Sequence, residues 1–549
     1  MASADQDLEE LMSHLGEFGK YQAWQFSLHI LGALTAGLHM MSLTTVAAVP
    51  PHRCISDLAN ATITWRDGAA SLSDLDGTSR VIEQTCSYLD LDNRSLDCDS
   101  WSYDRTYFQS SRGMEWNFVC SRRWMGAVAQ ATYMFGVFVG AVTLGSMADK
   151  YGRKTIFYAS AVGQLILGVG VALLTEYYSF LVIRFLYGVF GSAGAYITGF
   201  VLTMELVGAS RRSACGVAFQ ASFAMGFMLV AAWGAFVEDR MLLQIIYGLH
   251  SALLIGHWWL MDESPRWLWI QGRVKEATEI VQKGVRMNGD SSKIDIARYV
   301  SRNASRQASK VERTYTAADL FKTPNLRKKS LNVCLNWFAN SIVYYGLSLN
   351  TGNLVGNPFL MLFLIGMVEL PSYVLTSLLM DRTGRRALIS CYMLLGGFCC
   401  ICAASVPSSF PGARVITITV VMVGKACIAS SFGIIYNYTA ELFPTVLRNT
   451  ALGIGSMCAR LSGALTPLIM LLDSFDPKVP ATTFGFIALV SGFLSLYLPE
   501  TLNQPMPETL EDGESFGKGD TCFSRKSKRA YSITMRQVDD EDLKKAESP

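Results

Sequence analysis

The feature that most limits what this chain can fold into is the uneven placement of its charges. Phe180–Leu206 holds only Arg184 and Glu205, and Ala387–Val406 holds no Asp, Glu, Lys or Arg. A run of about 20 apolar residues is what a helix needs to cross a hydrocarbon core about 30 Å thick. Such runs recur about twelve times by hydropathy, near 23–48, 124–147, 155–174, 179–204, 214–237, 241–260, 331–351, 357–380, 387–406, 414–440, 449–472 and 481–498. The backbone finds no water inside lipid, so each run must be a helix. Charged residues are 17% of the 549 and apolar ones 50%, which excludes a string of soluble domains. The 47 basic and 45 acidic residues leave a net charge of +2 and no field for nucleic acid. The expected fold is therefore an all-α membrane protein with the lipid bilayer as its main partner.

Lys and Arg concentrate in alternate short loops: Lys150, Arg153 and Lys154; Arg211 and Arg212; Arg382, Arg385 and Arg386; Arg448. The positive-inside bias makes that side cytoplasmic, together with both termini, in what reads as a plasma-membrane protein. Met1–Gly19 is acidic and does not read as a signal peptide. The segments then divide into a cytoplasmic N-terminus (1–22), a first bundle (23–260) and a cytoplasmic helical linker (261–330). A second bundle (331–498) and a tail (499–549) read as disordered complete the chain. The loop 49–123 falls outside. It carries glycosylation acceptors at Asn60 and Asn93 and four cysteines, Cys54, Cys86, Cys98 and Cys120. Four cysteines in an oxidising compartment read as two disulfides, with three pairings open.

The two bundles repeat each other. Asp149-Lys-Tyr-Gly-Arg-Lys154 recurs as Asp381-Arg-Thr-Gly-Arg-Arg386, 232 residues on. Glu205 with Arg212 recurs as Glu441 with Arg448 at an offset of 236, and Pro265 recurs as Pro499 at 234. Two six-helix pseudo-repeats related by an axis along the membrane normal give a central cleft and a rocking motion. The repeated charges read as an inner gate. Glu205 and Glu441 lie at comparable depth to the turn residues Asp149, Arg153, Lys154, Asp381, Arg385 and Arg386 and to Arg212 and Arg448, and arginine–carboxylate bonds among them would make and break as the cytoplasmic side closes and opens.

Gly145-Ser-Met-Ala-Asp-Lys-Tyr-Gly-Arg-Lys154 resembles the loop motif of the major facilitator superfamily. Within it, the chain resembles the organic cation/anion/zwitterion transporter family over about residues 10–510. That likeness rests on the cysteine-bearing first loop, Glu115-Trp-Asn-Phe-Val-Cys120, Glu263-Ser-Pro-Arg-Trp-Leu268, Ala440-Glu-Leu-Phe-Pro-Thr-Val-Leu-Arg-Asn449 and Leu498-Pro-Glu-Thr501. The resemblance implies the major facilitator fold, with a large disulfide-bearing extracellular loop. Arg460 stands where the family's anion and zwitterion carriers have Arg, and His39 is similar to a His of the anion branch. Tyr373 stands where anion carriers have Lys. Glu369-Leu-Pro-Ser-Tyr373, Phe200-Val-Leu-Thr-Met-Glu205 and Tyr436-Asn-Tyr438 are most similar to the carnitine-type branch.

Three ionisable residues fall near mid-depth: Glu369, Lys425 and Arg460. Each is costly in hydrocarbon and calls for a wet cleft or a partner. Arg460 suits a substrate carboxylate and Glu369 an ammonium, or Lys425 pairs with Glu369. Trp337, Tyr344, Tyr345, Tyr373, Tyr436 and Tyr438 offer ring faces to a cation. Gln220 offers hydrogen bonds, and His39 reads as a packing or proton site. No phosphate-binding Gly-Lys loop, nucleophile elbow or metal-ligand cluster is present, so neither ATP hydrolysis nor catalysis is expected. No cofactor is expected, and Na⁺ or H⁺ coupling stays open beside facilitated flux. The expected function is a carrier of small organic zwitterions or cations. An organic anion exchanger and a non-transporting receptor are the alternatives. Nothing in the sequence speaks to oligomeric state.

Overall fold

The computed structural model describes residues 2–54, 62–66, 69–73, 79–81, 86–89, 95–208, 210–290, 294–307, 316–350, 356–407, 411–504, 506–507 and 509–523. Asn60 and Asn93 lie outside the described residues.

Ten described helices are long and apolar enough to cross a membrane. Spans one to six are Lys20–Val46, Cys120–Tyr151, Arg153–Leu173, Tyr177–Leu206, Ala214–Phe236 and Arg240–Leu260. Spans eight to eleven are Pro358–Thr383, Arg385–Ser405, Ala413–Leu442 and the stretch that opens with Thr445–Met470. Two further helices complete the pattern. Pro324–Leu349 is span seven, more polar than the rest because Asn332, Asn336 and Asn340 lie along it. Val479–Ser495 is the short span twelve. Asn336 explains that polarity: its side-chain oxygen accepts from Ser491 at 2.8 Å and Ser495 at 2.7 Å on span twelve. Outward positions are apolar, with Leu378 65% and Val415 68% exposed, as a lipid-facing surface requires.

The halves meet in matching fashion. Span five packs against span eight, and span eleven against span two. Under the repeat these are the same contact made twice, which is what a pseudo-two-fold axis demands. Span one is the most enclosed of the ten. Span four loosens into wide π-type turns over Val189–Ala195, immediately before Tyr196.

The face bearing the chain ends carries more order than the sequence suggests. Helix Ala2–Ser13 was not foreseen; it buries Leu8, Leu11 and Met12 against Val281 and Val285 of linker helix Val274–Met287. Arg266 grips Glu9 through both nitrogens at 2.6 and 3.1 Å and holds that carboxyl below its usual range. The predicted disordered tail needs correcting for its described part. Helix Leu510–Ser515 docks because Glu514 accepts from the amides of Asn325 and Leu326, at 2.9 Å each, and caps span seven.

The long loop on the opposite face adds short antiparallel strands to the all-helical body. His52–Cys54 pairs with Trp101–Tyr103, and Thr62–Arg66, Ala69–Ser73 and Ser79–Val81 form a three-stranded sheet. Cys54 bonds Cys98 and Cys86 bonds Cys120, with Cα separations of 5.8 and 5.5 Å.

Close helix crossings depend on missing side chains. A Cβ on Gly168 would meet the Cα of Gly248 at 3.0 Å and the Tyr187 ring at 3.1 Å, whereas one on Gly170 would meet nothing within 4 Å. Gly168→Val should therefore lower the thermal unfolding midpoint and the monodisperse yield in detergent, while Gly170→Val changes neither.

Candidate functional site

A cavity lies at mid-depth between the halves, holding about 640 Å³ of space free of atoms, part of it continuous with solvent. The first half contributes Met40, Tyr196, Gln220 and Phe223 to its wall, and the second contributes Tyr344, Tyr345, Phe432, Tyr436 and Arg460. Arg460 is the single ionised side chain among the residues that line it. The guanidinium bonds its own helix, donating through Nη1 to the Ser456 carbonyl at 2.9 Å and to the Ser456 hydroxyl. Its remaining donors point to no protein acceptor among the described residues. Gln220 accepts from Tyr196 at 3.0 Å, and its buried amide Nε2 makes no hydrogen bond of good geometry among the described residues.

The rings support one another. Tyr436 meets Trp337 edge-on at 4.4 Å and reaches across the halves to Phe200 at 5.6 Å. Tyr344 stacks on Phe432 at 5.7 Å. Tyr345 extends to Met40 on span one, with its hydroxyl 3.4 Å from the sulfur.

Of the expected substrate contacts, the structure brings Arg460, Gln220, Tyr344, Tyr345 and Tyr436 to this cavity. It places six elsewhere. Glu369 and Lys425 face each other at 2.9 Å and are fully buried, since two opposite charges in a dry bundle are far cheaper together than apart. Tyr373 donates to Glu369 at 3.1 Å. Trp337 is fully buried behind Tyr436 and donates to Thr439 at 3.0 Å. His39 packs inside the first half, 2.9 Å from the Ser251 hydroxyl and bonded to Tyr187. Tyr438 likewise turns away, donating to the Pro499 carbonyl at 2.7 Å. Sequence reasoning missed Tyr196, Phe223 and Phe432; their depth matches that of Arg460, but nothing in a single sequence tells which azimuth faces a cleft.

The repeated charges form two like constellations, each within its own half. Arg153 reaches Glu205 at 3.1 Å and Asp149 at 3.0 Å. Arg385 reaches Glu441 at 3.0 Å and Asp381 at 3.3 Å. Gly152 and Gly384 sit at φ of 106° and 91°, the region that glycine alone enters freely. Two carboxylates not assigned from sequence hold the turns from beneath. Glu263 accepts from the amides of Arg153 and Lys154 at 3.1 and 3.2 Å, and Glu500 accepts from that of Arg385 at 2.8 Å. Burial pushes the Glu263 carboxyl up, against the pull of these amides.

Four expected gate members do not join the arginine–glutamate bonds. Arg212 donates to the Val207 carbonyl at 3.1 Å, and Arg448 lies 3.5 Å from the Met506 sulfur. The Lys154 ammonium sits over the Trp258 ring at 5.2 Å, and Arg386 reaches the Leu498 carbonyl at 3.2 Å and Asp520 at 3.3 Å. Arg212 opens helix Arg212–Phe236 and Arg448 lies in the first turn of Thr445–Met470, so each stands on the helix after the one that carries its glutamate.

Two similar bundles, a shared mid-depth cavity with one free charge, and paired turns at one face define a membrane carrier. Residues 85–512 match the family model described as Sugar (and other) transporter, and the chain belongs to that family. It is 38% identical over 529 residues to the organic cation transporter protein of Drosophila melanogaster, covering 93% of this chain and 95% of that one. It is 31% identical over 533 residues to organic cation/carnitine transporter 2 of Rattus norvegicus, covering 92% and 93%. Its fold is that of the inward-open xylose transporter XylE from E. coli, with a TM-score of 0.60 at 15% identity over 89% of this chain and 98% of the other. These are carriers of the major facilitator superfamily, not enzymes, and membership implies no cofactor.

Removing either supporting carboxylate strands buried amides. Glu263→Ala and Glu500→Ala should each destabilise the purified protein by about 1–3 kcal/mol, read by thermal unfolding, with the maximal transport rate falling in parallel.

Proposed function

We propose that the protein is a secondary carrier of small organic zwitterions and cations, carnitine-like in charge layout, working in the plasma membrane by alternating access. The observation that carries this reading is the lone Arg460 in a cavity whose wall is otherwise uncharged and rich in rings. A guanidinium takes a carboxylate by a paired fork of hydrogen bonds. Ring faces of Tyr436, Phe432 and Tyr196 attract an ammonium group without needing an acceptor, which favours a quaternary nitrogen over a primary amine. The names of the fly and rat relatives point to the same substrate class. The disulfide-bearing loop faces outward and both chain ends face the cytoplasm, as the basic short loops at the end-bearing face support. The Arg153 and Arg385 turns act as the inner gate. Each bond is partly wetted and contributes about 1 kcal/mol or less, so the gate opens at thermal cost. Arg460 without an acid across from it also favours an organic anion exchanger, which the same experiment separates.

Uptake of carnitine, tetraethylammonium and para-aminohippurate into vesicles, with and without Na⁺ and across a pH step, tests the reading and its ion coupling. Carnitine should accumulate. Arg460→Gln should raise its KM by about tenfold or more, the worth of a charge-assisted pair, while sparing tetraethylammonium. Accumulation of para-aminohippurate without carnitine would establish the anion exchanger. Binding without accumulation would establish a receptor. Tyr436→Ala should raise KM for both ammonium substrates several-fold, on the scale of a desolvated cation–π contact.

A further inference from the structure

The buried pair behind the cavity has more parts than neutralisation requires. The Lys425 ammonium lies 3.1 Å from the Tyr344 ring centroid and 5.9 Å from that of Phe227. It sits 2.9 Å from Glu369 Oε1 and donates to the Ser348 hydroxyl at 2.7 Å and the Tyr344 carbonyl at 3.3 Å. The other carboxylate oxygen accepts from Tyr344 at 2.9 Å and from Tyr373 at 3.1 Å. A carboxylate oriented by two phenols, ring faces and oxygen acceptors around one nitrogen are the components of a receptor for a free organic cation. Tyr344 belongs to both this set and the cavity wall, so one ring divides the two.

We propose that this is a second cation subsite, filled by the chain's own Lys425 side chain, and that Lys425 is thereby a specificity-determining residue. The tethered ammonium denies Glu369 to simple monocations and leaves the open cavity with a positive charge. A cation lacking a carboxylate then meets repulsion from Arg460 with no acid to turn to. A zwitterion satisfies Arg460 and places its ammonium on the rings. The inference rests on the reading that Arg460 faces substrate, but the subsite itself is testable without transport.

Lys425→Ala removes three methylenes and the ammonium, a fragment that n-propylammonium replaces. In the purified protein, n-propylammonium chloride should raise the thermal unfolding midpoint of Lys425→Ala saturably, as binding to the folded state alone requires. Wild type and the Glu369→Gln/Lys425→Ala double variant should not respond. In vesicles, Lys425→Ala should take up tetraethylammonium about tenfold better relative to carnitine, the scale of one charge-assisted contact. The Glu369→Gln/Lys425→Met variant, which lacks both charges of this pair, controls for folding. The proposal is overturned if Lys425→Ala stays unfolded with the amine present while that control folds. It is equally overturned if Lys425→Ala folds but neither binds the amine nor gains tetraethylammonium uptake. Amine rescue with Arg460→Gln leaving carnitine KM unchanged would retain the subsite and remove the substrate reading.

Discussion

The absence of water from the bilayer interior is the constraint on which this structure depends. A backbone group with no solvent must bond within its own segment, so every crossing stretch is a helix. The same rule then sorts the charges. Glu369 and Lys425 are fully buried, and they find each other. Among the described residues Arg460 bonds only its own helix, and it lines the cavity between the halves. A charge in this environment either has a partner or marks where water and substrate enter.

Duplication supplies the second organising element. The contacts of span five with span eight and of span two with span eleven are one interface used twice. The turns after spans two and eight are likewise built alike, each with a left-handed glycine and an arginine reaching a glutamate in its own half. Glu263 and Glu500 extend the likeness beneath those turns, where each carboxylate caps the following helix. These bonds lie within halves, so each can break and re-form as its own half tilts. The cavity wall, by contrast, is shared between the halves and changes shape when they rock.

Much of this was legible in advance where the signal is local. Charge-poor runs marked all twelve spans, including span seven with its three asparagines. The mid-span Arg460 flagged in sequence does line the cavity between the halves. The azimuth of each side chain was not legible. Glu369 and Lys425 are 56 residues apart on different helices, so their meeting depends on how spans eight and ten pack. Tyr196 and Phe432 reach the cavity for the same kind of reason. Composition alone suggested an unordered tail, yet Glu514 finds the exposed amides at the start of span seven.

By itself, the sequence determined that the chain crosses a membrane as two related helical bundles, because hydropathy, charge bias and an internal repeat are one-dimensional properties. Only the tertiary structure decided which of the three mid-depth charges faces the cavity between the halves. That choice follows from packing geometry: the desolvation cost of an ion is offset only by a partner within about 3–4 Å, and distances of that kind exist only after the helices have come together.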